Sequence, residues 1–329
     1  MENHPEIKYG KTGVLIINLG TPDSTSWLDV RRYLKEFLSD RRVIEVNPII
    51  WKFILNIFIL TFRPSKTAKA YKEIWMKDIN MSPLKYFTKN QAEKLAKKLL
   101  SSNLIVDFAM RYGDPSIKEK INILQEEGCE NLIILPLYPQ YAAATTATVC
   151  DEVYRCLMKM RWQPSLQIIP HYESNPLYID ALVNSINKKI SEINWKPDLI
   201  VASYHGIPKK YFDKGDPYHC YCQKTSRLLS EEFKKIEIIT TFQSRFGPEA
   251  WLKPYTDKTL ESLPKEGKKN VLLICPGFSS DCVETLEEIS IQGRESFLKF
   301  GGENFDIVPC LNDSDEHINL LENLTKRFL

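Results

Sequence analysis

Asp198-Leu-Ile-Val-Ala-Ser-Tyr-His-Gly-Ile-Pro208 is a nearly unbroken apolar run that ends in a histidine and then turns. A short apolar run of this kind is the pattern of a strand buried on both faces of a parallel sheet. His205 then sits just past the strand's C-terminal end, the edge of an open α/β sheet where ligands bind. Gly206 and Pro208 bend the chain away and leave the imidazole on a rigid support. An imidazole exchanges protons near neutral pH, which suits a general base, although a histidine satisfied by structural hydrogen bonds would carry the same local pattern.

Similar β-rich runs occur at residues 14–18, 104–108 and 131–135, and in the second half at 166–169, 198–201, 236–239 and 270–274. Amphipathic stretches at 90–100, 117–127, 177–193 and 225–235 separate most of them. This alternation predicts an α/β protein with parallel sheets flanked by helices. The halves also echo each other. Gly20-Thr-Pro22 matches Gly206-Ile-Pro208, Arg111-Tyr-Gly113-Asp-Pro115 matches Arg245-Phe-Gly247-Pro248, and Leu135-Pro-Leu-Tyr-Pro139 matches Ile274-Cys-Pro-Gly277. The expected architecture is two similar Rossmann-like domains with a cleft between them, residues 1–163 and 164–314, joined near Trp162-Gln-Pro164. A return of the last helical stretch, 315–329, to the first domain would fit the crossover habit of doubled α/β folds.

Gly20 and Gly113 lie 93 residues apart, whereas Gly206 and Gly247 lie 41 apart. The first half therefore carries about fifty extra residues, at 40–90. Within them runs Pro48-Ile-Ile-Trp-Lys-Phe-Ile-Leu-Asn-Ile-Phe-Ile-Leu-Thr-Phe62, interrupted by Lys52 and Asn56 on one helical face. It is shorter than the roughly twenty apolar residues of a spanning helix. A buried helix, a lid over an apolar pocket and a patch resting on a bilayer surface all fit this composition. An insertion at the ligand edge of a sheet favours the lid.

The composition is that of an ordinary globular protein: 43% hydrophobic, 26% charged and a formal charge of +2. Nothing in it suggests a nucleic-acid partner. Met1-Glu-Asn-His-Pro-Glu-Ile7 lacks the layout of a signal peptide. The eight cysteines are scattered, which predicts reduced thiols and a cytoplasmic setting rather than a disulfide framework, and Cys220-x-Cys222 does not have zinc-knuckle spacing. Gly10-Lys-Thr12 lacks the earlier glycine of a phosphate loop, and no Gly-x-Gly-x-x-Gly or Gly-x-Ser-x-Gly occurs. The run 270–274 leads into Pro276-Gly-Phe-Ser-Ser-Asp-Cys-Val-Glu284-Thr-Leu-Glu-Glu288, where a helix would line Glu284 and Glu288 along one face. An acidic first turn often does no more than favour a helix N-terminus, but here it shares a domain edge with His205.

With these residues in view, the chain resembles the ferrochelatases, enzymes that insert ferrous iron into a porphyrin. The resemblance is carried by Gly13-Val-Leu-Ile-Ile-Asn-Leu-Gly-Thr-Pro22, Pro136-Leu-Tyr-Pro-Gln-Tyr141, Ser203-Tyr-His-Gly-Ile-Pro208 with Gly215-Asp-Pro-Tyr218, and Asp281-Cys-Val-Glu-Thr-Leu286. It implies that His205 and Glu284 are catalytic and contact the metal. It also implies that Leu19, Arg63, Tyr71, Ser82, Arg111, Tyr112 and Phe278 bind substrate, and that Trp251 matches a family tryptophan. Cys282 stands where some members have a second histidine. The expected substrates are Fe²⁺ and protoporphyrin IX, with two protons released in the last step of haem synthesis. Coproporphyrin or cobalt chemistry, or a non-catalytic tetrapyrrole carrier, are the rivals. No permanent cofactor is implied. The chain reaches Leu329 without the C-terminal cysteine extension that holds an iron–sulfur cluster in some members, so no cluster is expected. The implied location is the cytoplasm, with peripheral contact at the inner face of the membrane; the oligomeric state is left open.

Overall fold

A computed structural model describes residues 7–329; the segment Met1–Glu6, most of the stretch inspected for a targeting signal, lies outside them. β1 (Lys11–Gly20) buries Val14, Leu15, Ile16 and Ile17 completely. A strand apolar on both faces needs cover on both, and β1 lies inside a parallel sheet between β2 (Leu104–Tyr112) and β3 (Cys129–Pro136). β4 (Ser165–Ile168) completes the order β2-β1-β3-β4. The second sheet repeats this plan. β5 (Leu199–His205) lies between β6 (Glu237–Gln243) and β7 (Asn270–Ile274), and β8 (Asn304–Val308) forms the edge, in the order β6-β5-β7-β8. Every pairing is parallel.

The chain divides into two compact units. One comprises the chain as far as Leu137, Ala143–Pro170 and Ile318–Leu329; the other comprises Tyr138–Ala142 and His171–His317. Two sequence expectations change here. The run at 166–169, grouped with the second half, pairs with β3 in the first sheet. Gln163-Pro164 marks a turn into an edge strand rather than a join between sheets. The proposed match of Arg111-Tyr-Gly113 with Arg245-Phe-Gly247 is also out of register. The Met110 N–H donates to the Pro115 carbonyl at 2.8 Å and the Phe242 N–H to the Pro254 carbonyl at 2.8 Å, so Arg111 corresponds to Gln243. The glycine-plus-proline similarity misled because both loops need turn residues, not because they align.

In the N-terminal unit, α1 (Trp27–Ser39) is capped by Ser26, whose hydroxyl accepts from the Asp29 N–H, and buries Val30, Tyr33, Leu34 and Leu38. After it come α2 (Pro48–Phe53), a π-helical stretch Ile54–Ile59 and α3 (Leu60–Ile74). α4 (Pro83–Leu99) then packs on β1 and β2 as the crossover helix, with Asn18 Nδ2 donating to Thr88 Oγ1 at 3.0 Å. The insertion therefore ends near Ser82, short of residue 90, because α4 belongs to the repeated core. The apolar segment has two faces. Leu55 and Leu60 pack with Tyr33, Leu34, Leu38 and Tyr112, whereas Ile49, Ile50, Phe53, Ile57, Phe58 and Phe62 are exposed.

Candidate active site

The second unit presents His205 at the C-terminal end of β5, opposite Gln243 in the ladder. Its Nδ1 lies 2.6 Å from the Gly206 carbonyl oxygen. In the neutral ring Nδ1–H donates there, which leaves Nε2 as the basic nitrogen. The Phe278 ring lies 6.5 Å away, centroid to centroid. Gly206 permits a close approach: a Cβ there would come within 2.9 Å of the Gln243 carbonyl and 3.1 Å of the Trp251 ring. Trp251 is buried behind this turn, its indole N–H donating to the Phe246 carbonyl at 3.0 Å.

The segment after β7 forms a π-helical stretch, Glu284–Gly293, which carries both Glu284 and Glu288. Wide turns of this kind are uncommon and gather at functional sites. Asp281 anchors the start, accepting from Thr285 Oγ1 at 2.9 Å and from Asn312 Nδ2 at 2.7 Å. Gln243 Nε2 donates to the Glu284 main-chain carbonyl at 2.9 Å. Glu288 accepts from Ser244 twice, from N–H at 2.7 Å and from Oγ at 2.5 Å. Burial raises the pKa of Glu288; the Ser244 bonds and the His205 charge oppose the rise, and the nearby Glu284 charge adds to it. Glu288 therefore feels the charges of both His205 and Glu284. Burial, aided by the Glu284 charge, pushes the Cys282 thiol well above its usual range, so this position offers a neutral S–H. A cavity of about 550 Å³ lies alongside, lined in part by Gln243, Ser244, Arg245, Asp257, Glu288 and Gln292.

In the N-terminal unit Arg111 and Tyr112 end β2 and converge on Asp40. Arg111 Nη2 donates to Asp40 Oδ2 at 2.5 Å, Arg111 Nε to the Thr148 carbonyl at 2.8 Å and the Tyr112 hydroxyl to Asp40 Oδ2 at 3.0 Å. The guanidinium also sits 4.4 Å from the Tyr112 ring centroid. Both side chains are buried, and burial raises the Tyr112 phenol far above its usual range. Leu19 packs at the rim of the same apolar cluster. Tyr71 is buried edge-on against Tyr33 and Trp75, and Ser82 is buried as the cap of α4, accepting from the Lys85 N–H at 3.3 Å. Arg63 is half-buried on α3.

Within its own unit each group is therefore assembled from strand ends: His205, Phe278 and Glu284 in one, and Leu19, Arg111 and Tyr112 in the other. Gln243, Ser244 and Asp40 carry no sequence pattern that marks them, and Glu288 shows in the sequence only the face it shares with Glu284. The four-residue spacing of the glutamates was the one available signal for Glu288. Among the described residues, no group of three or more His, Cys, Asp or Glu side chains is arranged to hold a metal ion, and all eight cysteines are unbridged.

Comparison with known proteins supplies the wider context. The Ferrochelatase family matches residues 11–329. The ferrochelatase of Allorhizobium ampelinum is 55% identical over 329 residues, covering 99% of this chain and 96% of its own length. That of Rhizobium meliloti is also 55% identical, with 99% and 97% covered, and that of Francisella tularensis subsp. holarctica is 52% identical, with 96% of both covered. Among solved structures, SirB from Bacillus subtilis with Fe³⁺ superimposes with a TM-score of 0.58 at 12% identity, covering 96% of this chain and 95% of SirB. The sirohydrochlorin chelatase SirB from Bacillus subtilis subspecies spizizenii, in complex with cobalt, gives 0.55 at 10% identity, with 96% and 94% covered. At such identities the likeness is one of fold.

Proposed function

The chain belongs to the ferrochelatase family, and from that premise we infer that it is a lyase that inserts Fe²⁺ into protoporphyrin IX with release of two protons. One observation carries the residue-level reading: Glu288 lies within electrostatic reach of both His205 and Glu284 at one sheet edge. A free porphyrin holds two pyrrole N–H protons where the metal must enter. The basic Nε2 of His205 takes one of them. The carboxylates accept or pass on the other, and burial, which raises the Glu288 pKa, favours proton uptake there. The cavity beside Glu288, whose lining includes Ser244, Arg245 and Asp257, gives protons a way out. His205 and Glu284 also guide the iron, a pair of donors that leaves coordination positions open for the porphyrin nitrogens.

In the second unit Phe278 offers apolar surface suited to a porphyrin; in the first, Leu19 offers apolar surface, and Arg63, Tyr71 and Ser82 offer groups suited to propionates. The Arg111–Asp40–Tyr112 cluster keeps its wall rigid, since a buried guanidinium already paired with a carboxylate and a carbonyl acts as a support. Exposed Ile49, Ile50, Phe53, Ile57, Phe58 and Phe62 form the lid's outer face and rest against a bilayer surface that delivers the apolar substrate. No helix among the described residues is long and apolar enough to cross a membrane. The direct test is anaerobic incubation with Fe²⁺ and protoporphyrin IX. Porphyrin fluorescence should disappear as haem absorption rises, and unchanged fluorescence would refute the assignment. Running coproporphyrin in parallel tests the choice of porphyrin.

A further inference from the structure

We propose that Gln243 and Ser244 form a bracket that fixes Glu284 and Glu288 against the strand carrying His205, and that Ser244 is a positioning residue for metal insertion. The proposal rests on the functional reading above and deepens it. Gln243 is tied to the histidine strand twice. It sits opposite His205 in the ladder, and its main-chain carbonyl accepts the Gly206 N–H at 2.8 Å. Its buried side chain is committed at both ends: Oε1 accepts from Ser203 Oγ at 2.7 Å and Nε2 donates to the Glu284 carbonyl at 2.9 Å. A buried amide with both ends engaged has little freedom to turn.

Ser244 takes the other attachment point. Its N–H and hydroxyl reach Oε1 and Oε2 of Glu288 at 2.7 and 2.5 Å, so one residue holds both oxygens of one carboxylate. To aim both donors the same way, Ser244 adopts a φ of +65°, in the left-handed region that side chains other than glycine rarely enter. Glycine would be easier for the backbone, yet only a side-chain donor reaches the second oxygen. Because the attachments at Glu284 and Glu288 are four residues apart on the π-helical stretch, they fix both its advance and its rotation.

Ser244→Gly separates function from stability. It keeps the main-chain donor and relaxes φ, but deletes the hydroxyl. The melting temperature should stay level or rise, and KM for porphyrin should stay within about twofold. The kcat should fall about tenfold or more, the scale of one lost hydrogen bond to a charged group. Ser244→Ala lacks the same hydroxyl while keeping Cβ, and should lose kcat to a similar extent. Wild-type kcat in either folded variant, a KM that rises in step with the loss, or a marked difference between the two variants would overturn the bracket. Failure of the unmodified chain to metallate porphyrin would instead overturn the functional reading, and the same assay reports it before any variant is compared.

Discussion

In the proposed role of base, His205 relies on a main-chain contact: the Gly206 carbonyl holds Nδ1, which leaves Nε2 as the nitrogen to accept a proton. Replacing His205 with Ala should therefore lower turnover by about 10²–10⁴-fold, the range for a general base. Porphyrin affinity, read by fluorescence titration, should hardly change, because the lost group acts on protons rather than on apolar area. Near-normal turnover in a folded variant would end the assignment. Glu284→Gln keeps the shape and removes the charge, so kcat should fall by much more than porphyrin affinity. Equal losses in both would reduce Glu284 to a positioning role. Both residues could be found from strand-end and helix-face patterns. Ser244 and Asp40 could not: neither lies in a distinctive local pattern, and each matters through a partner 44 or 71 positions away.

The insertion shows how much the facing of an element matters. Its apolar composition is compatible with core, lid or surface patch, and the fold uses two of these at once. Leu55 and Leu60 are buried, and the opposite face is exposed. Substituting Ile50, Phe53, Phe58 and Phe62 by Ser should leave the circular dichroism spectrum and melting temperature nearly unchanged, since exposed positions seldom shift stability by more than about 0.5 kcal/mol each. Sedimentation with lipid vesicles, or porphyrin capture, should weaken. Leu60→Ala should do the reverse, destabilising by about 2–5 kcal/mol through loss of core packing. Unfolding of the four-serine variant would return the segment to the core. β8 carries no clear strand pattern in the sequence: among the described residues it pairs only with β7, and its Asp306 breaks the apolar run that marks a central strand.

Across the molecule, buried titratable groups set the response to acid. His317 is buried, its Nδ1–H donates to the Asn312 carbonyl at 2.6 Å, and burial lowers its pKa to about 4 from the ordinary 6.5. The folded state thus binds a proton less readily than the unfolded chain. Stability is fully present above about pH 6.5 and falls as the pH drops to about 4, by on the order of 3 kcal/mol from this group. Glu173, whose carboxylate is held below its usual range by His171 and Lys224 despite burial, adds a loss at lower pH as it becomes protonated. Melting temperatures measured from pH 7.5 to 4 should trace this fall, and His317→Phe should flatten its upper part. An unchanged slope would show that His317 is not the group responsible.

Most strands, the doubled α/β plan, the surplus in the first half and the placement of His205 and Glu284 could be read along the chain, because a strand buried on both faces and a helix with one apolar face write their periods into adjacent residues. The fold alone decided the rest. Residues 165–168 joined the first sheet, Gln243 rather than Arg245 became the counterpart of Arg111, and the apolar insertion acquired a buried and an exposed face. Each depends on which distant segment a crossover brings alongside. Periodicity says that a face is apolar, but what covers it, and which donor reaches a given carboxylate, is fixed only when each sheet assembles and brings its own distant strand ends side by side.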